Sequence, residues 1–215
     1  AAAAMREPLW RYLSGGAAGR LPLPEIQIFG GGAHAAGRVD IQDFMVMCPA
    51  ANSFAEALEM TAEVYAAAGH LLAERGLLQG VADEGGYWPA FTSNEQALDL
   101  LVTSIERAGY VPGADVAISL DIAASSFGGG GRYRLALESR ELDTDGLIAL
   151  LLGWIERYPI VSIEDPVAED DPQGFARFVA AAGERVQVIG DDFLVTNAAR
   201  VAQAARDKTV TAVLI

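Results

Sequence analysis

Short runs rich in Val and Ile alternate along this chain with longer stretches of helical spacing. A run of this kind that follows a helical stretch is typical of a parallel α/β sheet covered on both faces. Two earlier strands, before this alternation sets in, are predicted from apolar runs bounded by Pro and Gly. The predicted strands occupy residues 25–29, 40–47, 116–120, 160–163 and 186–189.

Helices are predicted between these strands. The segment at 53–74 is the clearest, because Ser53 can cap it, Glu56 follows three residues later, and apolar residues recur with a period near 3.6. Further helices are expected at 93–108, 144–157, 172–182 and 197–206. The Gly-rich turn and alternating residues at 128–137 predict a small hairpin.

The chain divides into two parts. The first 13 residues have the pattern of a helix end, which is followed by glycines and a Pro-containing connector. We therefore expect residues 1–20 to be the remnant of a preceding domain and its linker. Residues 21–215 are expected to form the first part of a (β/α)8 barrel with parallel strands and outer helices, since a complete barrel needs about 250 residues.

Charge and composition narrow the possible partners. The net charge of −14 is unfavourable for binding nucleic acid or an anionic membrane surface. The longest apolar runs fall short of the roughly 20 residues of a membrane span. Cys48 is the only cysteine, so an intrachain disulfide is impossible and a reducing, cytoplasmic location is the simpler expectation.

Three acids each follow an apolar run that is predicted to be a strand: Asp121, Glu164 and Asp191. The carboxyl ends of parallel barrel strands meet at one edge, where active sites are built. Buried carboxylates repel one another unless a cation compensates them, and oxygen ligands suit Mg²⁺. The pattern therefore predicts a magnesium site, although each acid taken alone could instead cap the helix that follows it.

Six blocks of sequence, in order and with matching spacing from about residue 21 onward, resemble enolase. They are GGGAHA at 30–35, VDIQDFM at 39–45, DEGG at 83–86, LDIAAS at 120–125, SIEDP at 162–166 and GDDFLVTN at 190–197. One such block can arise by chance, whereas six in register make chance negligible. The resemblance implies an enolase-type barrel and the reversible dehydration of 2-phospho-D-glycerate to phosphoenolpyruvate, a step of glycolysis and gluconeogenesis.

The resemblance also implies a role for each matching position. Asp121, Glu164 and Asp191 would bind the Mg²⁺ that fixes the substrate, and a second Mg²⁺ would arrive with it. Glu84 would be the general acid for loss of the hydroxyl group. The substrate-binding positions would be His34, Gln42, Asp43, Glu164 and Asp191.

The chemistry requires these residue types. Removing a proton next to a carboxylate builds up negative charge, which divalent cations stabilise by several kcal/mol. Hydroxide leaves poorly, so a protonated carboxyl such as that of Glu84 must meet it. Taken alone, Glu84 could equally be an exposed acid of a turn, and His34 a structural loop histidine.

This chain also departs from the enolase pattern. The enolase base is a lysine directly after the segment that matches 212–215, whereas the only lysine here is Lys208. We therefore expect this polypeptide alone to lack normal dehydratase activity. Smaller departures are Gly30 in place of the usual Asn, Asp43 in place of Glu, and Ser126 in place of Glu.

Two functions remain possible. One is an enolase, a homodimer or larger homo-oligomer in its full-length form, acting on a small phosphorylated substrate. The other is an enolase-derived module that binds or supports without catalysis. The first predicts Mg²⁺ binding at the three acids, and the second predicts no metal-dependent stabilisation.

Overall fold

The computed structural model describes residues 1–17 and 19–215. The amino-terminal segment contains two short helices, α1 (Ala2–Met5) and α2 (Leu9–Leu13), where the sequence pattern predicted one helix end. Arg6 ends α1 in the left-handed conformation, and Pro8 directly precedes α2, so the chain turns between them. The part of the predicted linker at position 18 lies outside the described residues.

Nine strands and five longer helices follow within the described residues. The strands are β1 (Glu25–Gly30), β2 (Asp43–Met47), β3 (Ala117–Asp121), β4 (Gly128–Gly129), β5 (Arg132–Leu135), β6 (Arg140–Asp143), β7 (Ile160–Glu164), β8 (Gln187–Gly190) and β9 (Ala212–Val213). The helices are α3 (Phe54–Glu74), α4 (Asn94–Arg107), α5 (Thr144–Arg157), α6 (Pro172–Ala182) and α7 (Ala198–Asp207). Each helix predicted between the strands is present, with bounds within one residue of the prediction.

The main sheet has the strand order β1-β2-β3-β7-β8-β9. The pairs from β3 to β9 are parallel, while β2 runs antiparallel to both β1 and β3. Two helices, rather than one, connect β2 to β3, so the chain re-enters the sheet from the end where β2 finished. The α/β class and the partial barrel are confirmed, and within the described residues the sheet is open, with β1 and β9 at its edges.

Side-chain caps fix the starts of helices, at Ser53 as predicted and also at Asp171. Ser53 Oγ accepts a hydrogen bond of 3.1 Å from the N–H of Glu56. Asp171 Oδ1 accepts one of 2.7 Å from the N–H of Gly174 at the start of α6. These bonds satisfy N–H groups that lack partners within the helix, and so they define the residue at which each helix begins.

A second, smaller sheet of β4, β5 and β6 projects from the connection between β3 and α5. The predicted hairpin at 128–137 is confirmed, and β6 adds a third strand to it. Tyr133 is buried, and its hydroxyl accepts a 3.1 Å hydrogen bond from the N–H of Ala168 in the loop after β7. The small sheet is thereby attached to the edge where β7 ends.

The loop between α3 and α4 folds back over the start of the sheet. Tyr87 donates its N–H to the carbonyl of Ile28 (2.8 Å) and accepts at its own carbonyl from Gly30 (2.9 Å). Its ring stacks on Tyr65 of α3 with a centroid distance of 4.3 Å. The ring also lies over Gly69, where an added Cβ would collide with its hydroxyl. Tyr87 is therefore a packing residue.

None of the helices in the described part of the chain has the length and apolar character needed to cross a membrane. The apolar residues are instead buried between the sheet and the helices around it. Ile118, Leu120, Ile163 and Val188 are fully buried in this core. The strand ends that carry the acids are therefore held on a rigid base.

Candidate active site

The three predicted metal ligands lie at one edge of the main sheet. Asp121 is the last residue of β3, Glu164 is the last residue of β7, and Asp191 directly follows β8. Asp121 and Glu164 are opposite each other in the parallel register. Asp43, which begins β2, is opposite Asp121 on the other side because β2 is antiparallel. The topology thus brings four acids from four strands together.

Burial and mutual repulsion raise the pKa of the central acids. Desolvation, then the charges of Asp43 and Asp165, raise the pKa of Asp121 to about 8. Desolvation, then the charges of Asp121 and further acids, raise the pKa of Glu164 to about 9. The pKa of Asp191 is also raised, first by burial and then by Asp192. The edge is therefore a place where added positive charge is strongly favoured.

The predicted substrate-binding residue Gln42 reaches this edge. Its Nε2 donates a 2.8 Å hydrogen bond to Asp121 Oδ2, while the N–H of Ala123 donates one of 2.9 Å to Oδ1. Gln42 is carried there by the loop between β1 and β2. In that loop a side chain on Gly31 would collide with the carbonyl of Ile41. The two ends of the loop can therefore approach each other closely only because residue 31 is glycine.

A second group of polar side chains lies beside the acids of β3 and β7. His34 Nδ1 is 3.6 Å from Asp43 Oδ1 and 3.8 Å from Glu84 Oε1. Each of these three residues offers a potential metal-ligand atom, and the three atoms lie within 4.8 Å of one another. Within the described residues, the ligand atoms of Asp121, Glu164 and Asp191 do not all lie this close together. The predicted general acid and two predicted substrate-binding residues are thus adjacent.

The three members of this group differ in exposure. Glu84 has a side chain that is 51% exposed, whereas the side chain of Asp43 is 5% exposed. Burial raises the pKa of Asp43, and its hydrogen bond from Gln27 opposes that change. Glu84 is therefore the member that incoming molecules can reach directly, and Asp43 is the one held in place by the protein.

Sequence reasoning missed Gln27. Its Nε2 donates to Asp43 Oδ1, and its Oε1 accepts a 2.7 Å hydrogen bond from the N–H of Gly86. Gln27 is 4% exposed and lies in β1, so it connects the sheet to the Asp-Glu-Gly-Gly turn that carries Glu84. A polar residue within an apolar strand was the available signal, because a buried amide must find partners.

The structure also gives a reason for one departure from the enolase pattern. A Cβ added at Gly30 would collide with Ala82 of the loop that leads to Glu84. The loop therefore approaches β1 more closely than a side chain at position 30 would permit. For Ser126, which lies in a short turn after β3, the structure offers no comparable explanation.

In the described part of the chain, basic side chains do not offset the charge of the strand-end acids. Glu25 begins β1 at the opposite edge of the sheet, where its carboxylate contacts Ser119 Oγ, and its charge adds to the rise in the pKa of Glu164. Among the described residues no lysine or arginine forms an ion pair with these acids. Lys208 ends α7 ahead of β9, and the parallel direction of β9 puts it at the opposite edge of the sheet.

These observations fit a divalent cation bound by oxygen ligands. The available donors are carboxylate oxygens on rigid strand ends, which is the ligand type that Mg²⁺ and similar hard cations take. Carboxyl groups whose pKa values rise to about 8 and 9 when crowded would return to their ionised form beside a cation. Asp121, Glu164 and Asp191 offer such carboxylates at the ends of neighbouring strands.

Comparison with known proteins identifies the family. Residues 18–215 match the family model for the enolase C-terminal TIM barrel domain. The chain is 46% identical to "Enolase 1" of Desulfitobacterium hafniense over 211 residues, 97% of this chain and 48% of that protein. It is 46% identical over 209 residues to "Enolase 1" of Methylococcus capsulatus and 45% identical over 213 residues to "Enolase" of Desulfotalea psychrophila, in each case 50% of the relative.

The chain thus spans about half the length of the curated relatives that it matches. The matched range includes the strands, the five longer helices and the three strand-end acids. A family-model match over most of the chain and an identity near 46% to proteins named enolase agree with each other. The chain belongs to the enolase family.

Proposed function

We propose that the protein represented by this chain is a phosphopyruvate hydratase, which reversibly dehydrates 2-phospho-D-glycerate to phosphoenolpyruvate with Mg²⁺. The observation that carries the proposal is the gathering of Asp121, Glu164 and Asp191 at one edge of the sheet beside Glu84 and His34. The family supports a carbon–oxygen lyase. Substrate, metal and residue roles are the proposed part.

In this proposal the strand-end acids hold the metal. A bound Mg²⁺ would supply positive charge beside a substrate carboxylate, where negative charge grows as the proton next to it is removed. Hydrogen bonds from Gln42 and from the N–H of Ala123 fix the orientation of the Asp121 carboxylate, which supports this role. Asp121 and Glu164 are rigid because both end buried strands.

The second group of side chains would act on the other end of the substrate. Glu84 would donate a proton to the departing hydroxyl, and its exposed side chain leaves it free to meet a substrate at the mouth of the site. His34, Gln42 and Asp43 would bind and orient the substrate. Asp43 is shorter than the glutamate that is usual there, and Gln27 holds it in position.

The proton-abstracting base is expected in the part of the relatives that this chain does not span. Lys208 is the only lysine, and it lies at the opposite edge of the sheet from the acids. We further propose that residues 21–215 are the first part of the catalytic barrel domain, that residues 1–20 belong to a preceding domain and linker, and that the full-length protein is a cytoplasmic homo-oligomer.

An activity assay with a completed barrel tests the proposal. This chain is joined to the remaining barrel segment of the Methylococcus capsulatus relative, and phosphoenolpyruvate formation is followed by ultraviolet absorbance with Mg²⁺. The joined protein should be active, the chain alone should not, and Glu84→Gln in the joined protein should lower kcat by about 10²- to 10⁴-fold. Equal inactivity of a folded joined protein and the chain alone would favour the non-catalytic module.

A further inference from the structure

Asp165 is a buried acid with an unusual backbone conformation. It is 3% exposed and follows Glu164 at the end of β7. Its φ angle of 39° lies in the left-handed region, which few residues other than glycine adopt. The next residue is Pro166, which further restricts the backbone that precedes it. A strained residue of this kind persists only where its neighbours fix it, and it is a reason to look for a function.

The carboxylate of Asp165 holds the turn that carries Asp191. Its Oδ1 accepts a 3.1 Å hydrogen bond from the N–H of Asp191, and its Oδ2 accepts one of 2.7 Å from the N–H of Asp192. The carbonyl of Asp191 in turn accepts from the N–H groups of Leu194 (2.9 Å) and Val195 (2.7 Å). The backbone of Asp191 is therefore fixed on both sides.

The backbone of Asp165 connects the other two strand ends. Its N–H donates to the carbonyl of Ile189 in β8 (3.1 Å), and its carbonyl accepts from the N–H of Ala124 just after β3 (3.2 Å). Its chain neighbour is Glu164. One residue thus makes contact with the segments that carry all three predicted ligands, Asp121, Glu164 and Asp191.

We infer that Asp165 is a positioning residue, which sets the spacing of the three strand-end acids by holding the 191–192 turn with its carboxylate. This inference rests on the proposed function, since it assigns Asp165 a task toward the metal that the three acids would bind. Both carboxylate oxygens are used as acceptors, so an amide cannot replace the carboxylate: its NH2 group would face a backbone N–H. Outer groups that orient metal ligands are typically worth 10- to 100-fold in metal affinity.

The test compares Asp165→Asn with the unaltered chain. Asparagine keeps the size of the side chain and tolerates the left-handed backbone, so the change removes mainly one acceptor. Asp145→Asn, which removes the same charge from an exposed position on α5, is the control. Mg²⁺ affinity is measured by calorimetry, and the symmetry of the site by electron paramagnetic resonance of bound Mn²⁺.

We expect Asp165→Asn to weaken Mg²⁺ binding at least tenfold and to change the Mn²⁺ spectrum, while Asp145→Asn matches the unaltered chain. Unchanged affinity and spectrum in Asp165→Asn would overturn the inference. If the unaltered chain binds no Mg²⁺, or if Asp121→Asn leaves binding unchanged, the proposed function fails instead.

A measurement on the unaltered chain covers the case in which the variant does not fold. Hydrogen exchange is followed at the amides of Asp191 and Asp192, which lie outside β8 but donate to Asp165. We expect these amides to exchange as slowly as those of β8 itself. Exchange at the rate of an open loop would show that Asp165 does not hold the turn, and would refute the inference without any substitution.

Discussion

Burial of like-charged carboxyl groups sets the pH response of the strand-end acids. The folded-state pKa of Asp121 is about 8 and that of Glu164 about 9, far above their ordinary values of 3.8 and 4.5. Between those values the folded state binds protons that the unfolded chain has released. The contribution of both groups to stability is therefore present below about pH 4 and is lost as the pH rises through 8 and 9.

With a chelator present, this linkage predicts that the melting temperature falls as the pH is raised from 5 to 9, because the two acids then stabilise the folded state less. Thermal unfolding followed by circular dichroism measures it. Asp121→Asn removes one of the two groups, so its melting temperature should depend less on pH across this range. The same slope in Asp121→Asn and the unaltered chain would contradict the assignment.

Both polar atoms of the Gln27 side-chain amide form hydrogen bonds. Replacing it by Met keeps the volume but leaves the N–H of Gly86 and the carboxylate of Asp43 without this partner. We expect Gln27→Met to lower the free energy of unfolding by about 2 kcal/mol, as measured with urea. Gln187→Met in the exposed part of β8 is the matched control, and its effect should stay within about 0.5 kcal/mol.

At the level of elements, the helices could be predicted well because their signals are local. Ser53 caps α3, as predicted, and α5 and α6 have the predicted bounds. The direction of β2 could not be predicted, because it depends on how α3 and α4 pack together. The third strand of the small sheet, β6, was missed because its charged sequence lacks an apolar run.

Some residues of the candidate site could likewise be predicted from the sequence, and others could not. The acids at the strand ends could be found from sequence because each follows an apolar run. The contacts of Asp165 and Gln27 could not be predicted, because their partners lie 16 to 59 residues away along the chain and only the folded structure brings them together. Gly30 likewise has its explanation in Ala82, which belongs to another loop.

The cap at the start of α6 contributes to the stability of the fold. Asp171 caps α6 through Gly174, and its second oxygen accepts a 2.7 Å hydrogen bond from the hydroxyl of Thr144 at the start of α5. Asp171→Ala should lower the free energy of unfolding by about 1 to 2 kcal/mol in urea. Glu184→Ala, at an exposed acid after α6, should change it little. Equal effects of the two substitutions would show that the cap contributes nothing.

For the whole molecule, the net charge of −14 and the gathered acids predict a specific response to Mg²⁺. A ligand that binds only the folded state stabilises it, by about 2.7 kcal/mol at one hundred times its dissociation constant. Mg²⁺ should therefore raise the melting temperature more than NaCl of equal ionic strength, which only screens charge. Asp191→Asn should reduce the difference, and an equal response to both salts would exclude a metal site.

Gly69 lies on the outer helix α3, yet its missing side chain makes room for Tyr87. The backbone of Tyr87 bonds to Ile28 and Gly30, and the turn bearing Glu84 precedes it by three residues. An alanine at position 69 would improve the helix locally but push this tyrosine outward. We expect a shift of Tyr87 to move Glu84 as well, so a screen for altered turnover should include positions on the outer helices.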